Sequence, residues 1–244
     1  HEIEVFKPEE FWSLNVNFIN EKGAKIISNL FQLEGNKVEK FSFKNKDEIN
    51  KAIENIKNKK YKIVDVSSKI YARNPSGPFT TSTLQQSASS KLGFGASRTM
   101  QIAQRLYQGI DIDGDTKGLI TYMRTDGTNI SKEATNDFRN YIDNTFGKEY
   151  LPDQPNNYSG KKAKNAQEAH EGIRPTDINL TPEKVSKYLD VDSKKLYSLI
   201  WKRSLASQMS SAQFERTALD ISSNDGRIIP VSYTHLTLPT KRIV

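Results

Sequence analysis

Apolar and polar positions alternate with two different periods along this chain, and the change of period divides it. Between residues 12 and 43 the segments WSLNVNFI, AKIISNLFQL and VEKFSF carry apolar side chains at roughly every second position, with Trp12, Leu14, Val16 and Phe18 on one face. Breaks at Glu21-Lys22-Gly23 and Gly35-Asn36 predict antiparallel strands joined by hairpins. A helix is expected from Asp47 to Asn58, where Ile49, Ile53 and Ile56 share one side and lysines cover the other. KYKIVDVSSKIYAR then resumes the strand period.

At Asn74-Pro75-Ser76-Gly77-Pro78 neither element can continue, because proline lacks the backbone donor and glycine removes local preference. Beyond this break the period becomes helical. In GASRTMQIAQRLYQG, Thr99, Ile102, Ala103 and Leu106 fall at i, i+3, i+4 and i+7, and Gly109 is placed to end the helix. Further helices are expected from Ser131 to Gly147, from Thr181-Pro182-Glu183 (a cap, a first-turn proline and an acid at the positive helix end), and from Asp192 to Ser211. Leu196, Leu199, Ile200 and Met209 form the core stripe of the last, with Trp201 beside it. Residues 152–164 read as an exposed loop. From Gln213 to Ile221 strand alternation returns, which makes the helical block an insertion if this strand rejoins the first sheet. The fold class expected is α+β, a strand-rich domain with an inserted, mostly α-helical one.

Composition narrows the partners. The 244 residues suffice for one large or two ordinary domains. Lysine and arginine number 36 against 29 acidic residues, a net charge of +7 that favours polyanions through counterion release. The absence of cysteine excludes disulfides and Cys-ligated zinc. No apolar run of the length needed to span a membrane occurs, and no membrane partner is expected. Because the chain opens on His1 rather than Met, an N-terminal portion is expected to be missing.

Two stretches hold candidate chemistry. In KGLITYMRTDGTNIS, residues 117–131, a short apolar run delivers Tyr122 to the end of an expected strand, followed at once by Arg124, Thr125 and Asp126. A phenol beside a guanidinium could attack a phosphodiester, since tyrosine is a covalent nucleophile and arginine matches phosphate with its planar fork of donors. The bland alternative is a core tyrosine before a polar turn. In NAQEAHEGIRPT, residues 165–176, Gln167, His170, Glu171 and Arg174 would share a face if the segment is helical. HEGIR lacks the second histidine of a zinc-binding HExxH, so that reading fails.

Five separated blocks resemble those of the bacterial type I DNA topoisomerases of type IA: PFTTSTLQQ, RTMQIAQRLYQG, LITYMRTDGTNIS, AQEAHEGIRPT and LYSLIWKRSLASQM. They occur in family order and cover most of residues 1 to about 229, and topoisomerase III and reverse gyrase are the more distant variants. The resemblance implies that Tyr122 is the nucleophile, joining the 5′ phosphate of a cut strand, that Arg124 holds the scissile phosphate, and that His170 supports proton transfer or binds the phosphate. It assigns Thr121, Thr125, Asp126, Glu168, Glu171 and Arg174 to DNA binding or to shaping the site. A phenol is protonated at neutral pH, so neighbouring cations or a metal must assist its attack.

The same resemblance implies a toroid. Residues 1–13 would end a preceding helical domain, 14–79 with 210–229 would form a strand-rich arch that opens as a gate, and 80–209 would form the helical domain bearing the tyrosine. Hinges are expected at residues 75–81 and near Met209. Mg²⁺ would be bound by a nucleotidyl-transfer domain lying before His1, which leaves the chain alone inactive in relaxation. The implied partner is the single-stranded segment of negatively supercoiled DNA, in a monomeric protein of the bacterial cytoplasm and nucleoid. A non-catalytic single-stranded DNA-binding fragment is the alternative. Two departures stand out. Gly127 occupies a position where the family carries serine, which is expected to loosen the turn, and residues 230–244 resemble nothing in the family and are expected to be a spurious tail.

Overall fold

A computed structural model describes residues 3–19, 21, 23–57, 59–158, 170–226 and 229–237. Its elements in chain order are β1 (Asn15–Ile19), β2 (Lys25–Leu33), β3 (Asn36–Lys37), α1 (Lys46–Lys57), β4 (Tyr61–Arg73), α2 (Thr81–Leu92), α3 (Ala96–Gln108), β5 (Ile110–Ile112) and β6 (Asp115–Lys117). They continue with α4 (Lys132–Phe146), α5 (Pro182–Val185), α6 (Val191–Ser207), β7 (Ala212–Ser223) and β8 (Ile229–Thr237). The chain divides into two compact units, residues 1–72 with 213–244 and residues 73–212. Mixed strand and helix content agrees with the α+β reading.

The first unit is built on a sheet of order β1-β2-β8-β7-β4, with β3 pairing β2 at the side. β1 and β2 pair antiparallel, with Val16 opposite Ser28, and the buried Ser28 hydroxyl donates to the Val16 carbonyl at 2.7 Å. The helix α1 turns Ile49, Ala52 and Ile56 onto Leu30 of β2 and Phe43, and these form the unit's core. None of the residues of the expected strand VEKFSF, 38–43, lies in a strand; the two-residue β3 precedes it. A turn explains the loss: Ser42 N–H donates to the Glu39 carbonyl at 3.1 Å while Glu39 N–H donates to the Ser42 hydroxyl at 2.7 Å, which folds the chain back and sends Phe43 inward. Residues 229–237, most of them in the stretch read as a spurious tail, form β8, with Val231 opposite both Asp220 of β7 and Asn29 of β2. Residues 238–244 lie outside those described.

The second unit is helical, and its caps are written locally. Thr80 and Thr83 cap α2 reciprocally, and Gly93 ends it in the left-handed region at φ 70°. Ser131, Thr181 and Asp190 each accept a backbone N–H at the start of α4, α5 and α6. Leu84, Ile102, Leu106, Phe138, Ile142, Leu196 and Ile200 are fully buried in one core. Trp201 joins this core, Leu199 is half-buried, and Met209 packs into it beyond the end of α6, which stops at Ser207. The hairpin β5–β6 was not expected. Its signal was Asp113-Gly114, whose φ values of 55° and 87° both lie in the left-handed region that a two-residue hairpin turn demands. In the loop expected at 152–164, Asn156 and Tyr158 are half-buried: Asn156 Nδ2 donates to the carbonyls of Ser207 and Met209, at 2.9 and 2.8 Å. The Tyr158 hydroxyl lies 2.8 Å from the Ser207 carbonyl and 3.0 Å from that of Pro75.

Candidate active site

The tyrosine segment is not a regular strand. Leu119, Ile120 and Met123 are buried, and Ile120 alone forms a bridge, to Pro175, while Tyr122 stays 36% exposed. Its backbone groups are satisfied from several directions instead of by one ladder. Leu119 N–H donates to the Leu106 carbonyl at the end of α3 at 2.7 Å, and Thr176 N–H donates to the Leu119 carbonyl at 3.1 Å. Cross-bracing of this kind fixes the segment without the period of a strand.

Residues 170–176 are extended rather than helical, because Ile173 bridges Phe79 and Pro175 bridges Ile120, and Pro175 cannot supply a helical donor. Thr121 binds this segment three ways. Its N–H donates to the Arg174 carbonyl at 2.9 Å, its hydroxyl donates to the Gly172 carbonyl at 2.8 Å, and that hydroxyl accepts Arg174 N–H at 3.0 Å. The two candidate stretches are thus joined on either side of Tyr122.

Around the phenol, the Tyr107 ring packs edge-on at 5.3 Å between centroids, and the exposed His170 ring lies at 5.5 Å, tilted by 57°. Arg124 is exposed and makes no hydrogen bond or ion pair with a described residue. Asp126 is likewise exposed and unpaired among the described residues. Both remain available to a ligand. Glu171 and Arg174 are not. The Arg174 fork donates to Glu171 Oε2 from Nε at 2.7 Å and from Nη2 at 2.6 Å, and Glu171 Oε1 accepts Ser131 N–H at the start of α4 at 3.0 Å. That pair is a brace for the histidine segment. Glu168 and Gln167 lie outside the described residues.

Thr125 is buried and holds the turn that follows. Its hydroxyl accepts Gly127 N–H at 2.9 Å and lies 3.4 Å from the His170 carbonyl. Gly127 does not loosen this turn. A Cβ placed there would meet the His170 carbonyl oxygen at 2.0 Å, so glycine permits the two stretches to close together. Serine at this position would displace the His170 backbone.

Two further positions escaped the reading of the residues. Thr81, the first residue of α2, donates its hydroxyl toward the Met123 and Thr125 carbonyls at 2.8 and 3.1 Å and accepts Thr125 N–H at 2.9 Å. Its N–H also donates to the Thr125 carbonyl at 2.8 Å. Arg124 is therefore anchored on both flanks by one side chain. Tyr107 is the second. The doubled threonine before STLQQ was its signal for the first, since one threonine suffices as a cap; nothing local marked Tyr107 as different from any half-exposed helix residue. Among the described residues no group of three or more acidic or histidine side chains is placed to hold a metal.

A family model described as DNA topoisomerase matches residues 1–236. DNA topoisomerase 1 of Rickettsia felis is 44% identical over 224 residues, covering 92% of this chain and 29% of that protein. DNA topoisomerase 1 of Escherichia coli K12 is 40% identical over 227 residues, covering 93% of this chain and 25% of that protein. The structure of full-length topoisomerase I from Thermotoga maritima superposes with a TM-score of 0.76 at 34% identity, covering 97% of this chain and 36% of that one. The chain spans between 25% and 29% of the length of these two curated relatives.

Proposed function

This chain belongs to the DNA topoisomerase family, and on that premise we propose that it carries the tyrosine half of a type IA site that cuts and rejoins one DNA strand. The observation that carries the reading is the exposed Tyr122 phenol beside His170, with the unpaired guanidinium of Arg124 two residues on.

In the cleavage step the Tyr122 oxygen attacks the scissile phosphorus, an O–P bond forms to the 5′ phosphate, and the bond to the 3′ oxygen breaks. His170 serves the proton account: the phenol gives up its proton and the departing 3′ oxygen gains one. Arg124 compensates the charge that builds on the phosphoryl oxygens. Thr121, Thr125 and the Glu171–Arg174 brace position these groups through the contacts above, and Asp126 is free to meet DNA. Because the phosphotyrosine bond retains the energy of the phosphodiester, rejoining by the 3′ hydroxyl needs no ATP.

For the whole protein we propose relaxation of negatively supercoiled DNA, with the strand-rich unit as gate and Mg²⁺ bound outside the residues described. The test joins this chain to the remaining parts of a full-length relative and traps labelled single-stranded DNA with denaturant. Tyr122→Phe should abolish the covalent adduct while leaving DNA binding within about twofold. Persistence of the adduct would sink the assignment. If the unaltered chimera binds DNA and forms no adduct, the non-catalytic binding reading takes its place.

A further inference from the structure

The face of α3 turned toward Arg124 has no part in the chemistry described above. Ser97, Arg98, Gln101, Gln104 and Arg105 of this helix line an open cavity of about 670 Å³ together with Arg124 and Asp192. Arg98, Gln101 and Arg105 fall at i, i+3 and i+7, so they form one row along the helix. From Arg98 to Arg105 this row runs about 10 Å at 1.5 Å per residue.

The cavity carries an excess of positive charge, since its lining sets three guanidiniums against Asp192, with Asp190 paired to Arg105 beside it. Neither α3 arginine is spent on its ion pair. Arg98 binds Asp192 through Nε, at 3.1 Å, and Nη2, which leaves Nη1. Arg105 meets Asp190 only through Nη2, at 3.4 Å, which leaves Nε and Nη1. The Arg105–Asp190 pair is exposed on both sides, at 55% and 53%, and such pairs contribute about 0–1 kcal/mol, so an incoming anion displaces it at little cost; Arg98, itself 57% exposed, offers its remaining Nη1. A phosphate accepts bidentate donation from such forks better than it would from lysine. Two glutamines between the arginines add neutral donors and acceptors without sequence preference.

We infer that the α3 groove is a second phosphate subsite, in which Arg98 and Arg105 hold the backbone of the single DNA strand adjacent to the phosphate at Arg124. The inference rests on the proposed reading of the Tyr122 site and adds a direction to it: the strand runs along α3 away from the nucleophile. Asp192 acts against binding, because its carboxylate competes with phosphate for Arg98.

The test measures binding of a fluorescent oligo(dT) to the 244-residue chain across a series of salt concentrations. Each phosphate contact to a single strand contributes about 0.7 to the slope of log K against log salt. Arg98→Ala with Arg105→Ala should lower that slope by about 1.4 and weaken binding at low salt by about tenfold. Asp192→Asn should tighten binding about threefold, an effect opposite in sign that lost folding cannot imitate. Lys51→Ala, on the exposed face of α1, should change neither quantity. Should the double variant melt early, Arg98→Gln with Arg105→Gln replaces it, with the same slope expected. An unchanged slope in the arginine variants, with the parent chain binding normally, overturns the subsite alone. Failure of the parent chain to bind oligo(dT) at low salt overturns both the subsite and the reading on which it rests.

Discussion

The two units of this chain bury their apolar residues differently. In residues 73–212 the apolar stripes of α3, α4 and α6 converge, and Leu106, Ile142, Leu196 and Ile200 reach complete burial. In residues 1–72 with 213–244 the described core is small, and β4 leaves Ile63, Val64, Val66 and Ile70 between 51% and 67% exposed. A helical stripe needs neighbours on only one side, whereas a strand alternates its side chains between two faces. Apolar side chains therefore converge into a dense core in the first case and are left partly exposed in the second.

The largest expected effect separates the two units directly. Phe138→Ala should destabilise the helical unit by about 3–5 kcal/mol, the cost of deleting a fully buried aromatic, as measured by denaturant unfolding. A loss below about 1 kcal/mol would mean that this core is looser than its burial indicates. Thr81→Val should cost about 1–3 kcal/mol, because it leaves the N–H of buried Thr125 without its acceptor. In a chimera with a full-length relative it should also slow DNA cleavage, and Thr81→Ser should restore both.

Alkali supplies the next contrast. Burial pushes the phenol of Tyr197 well above its usual range, with the Asp177 charge adding to it, and burial raises Tyr158 against the opposing pull of Arg203. A raised folded-state pKa means that the folded unit holds protons which the unfolded chain releases. The associated stability is therefore complete below about pH 10, the ordinary phenol value, and declines as pH rises beyond it. Tyr197→Phe should flatten that decline in a thermal melt series, and an equally steep decline in the variant would assign it elsewhere. Asp190→Ala removes the cap that accepts Ser193 N–H at 2.7 Å and should cost about 1 kcal/mol. Smallest of all, Ile70→Ser on the exposed face of β4 should stay within about 0.5 kcal/mol of the parent.

Legibility followed the range of the interaction. Two helices were readable at both ends because each end depends on residues within four positions: Asp47–Asn58 against Lys46–Lys57, and Ser131 and Gly147 flanking Lys132–Phe146; the helix expected to reach Ser211 stops at Ser207. The strand VEKFSF was misread because alternation there competes with a side-chain turn at Glu39 and Ser42, which periodicity does not register. The condition that residues 170–174 be helical, on which a shared face depended, is not met for a related reason. The segment's backbone groups are engaged by Phe79 and Thr121, residues far away in the chain. At Gly127 the missing side chain looked like a loss, and only the position of the His170 carbonyl turned it into a condition of packing.

By itself the sequence determined the helical period, the placing of Tyr122 and Arg124 two residues apart, and the family to which the chain belongs. Each of these is either local or carried by the identity of a residue. Tertiary structure decided that Glu171 and Arg174 pair with each other instead of facing a ligand, that Thr81 holds both flanks of Arg124, and that Arg98 and Arg105 line a groove with it. Those outcomes depend on which distant backbone groups meet, and a hydrogen-bonding side chain carries no local mark of the partner it will find.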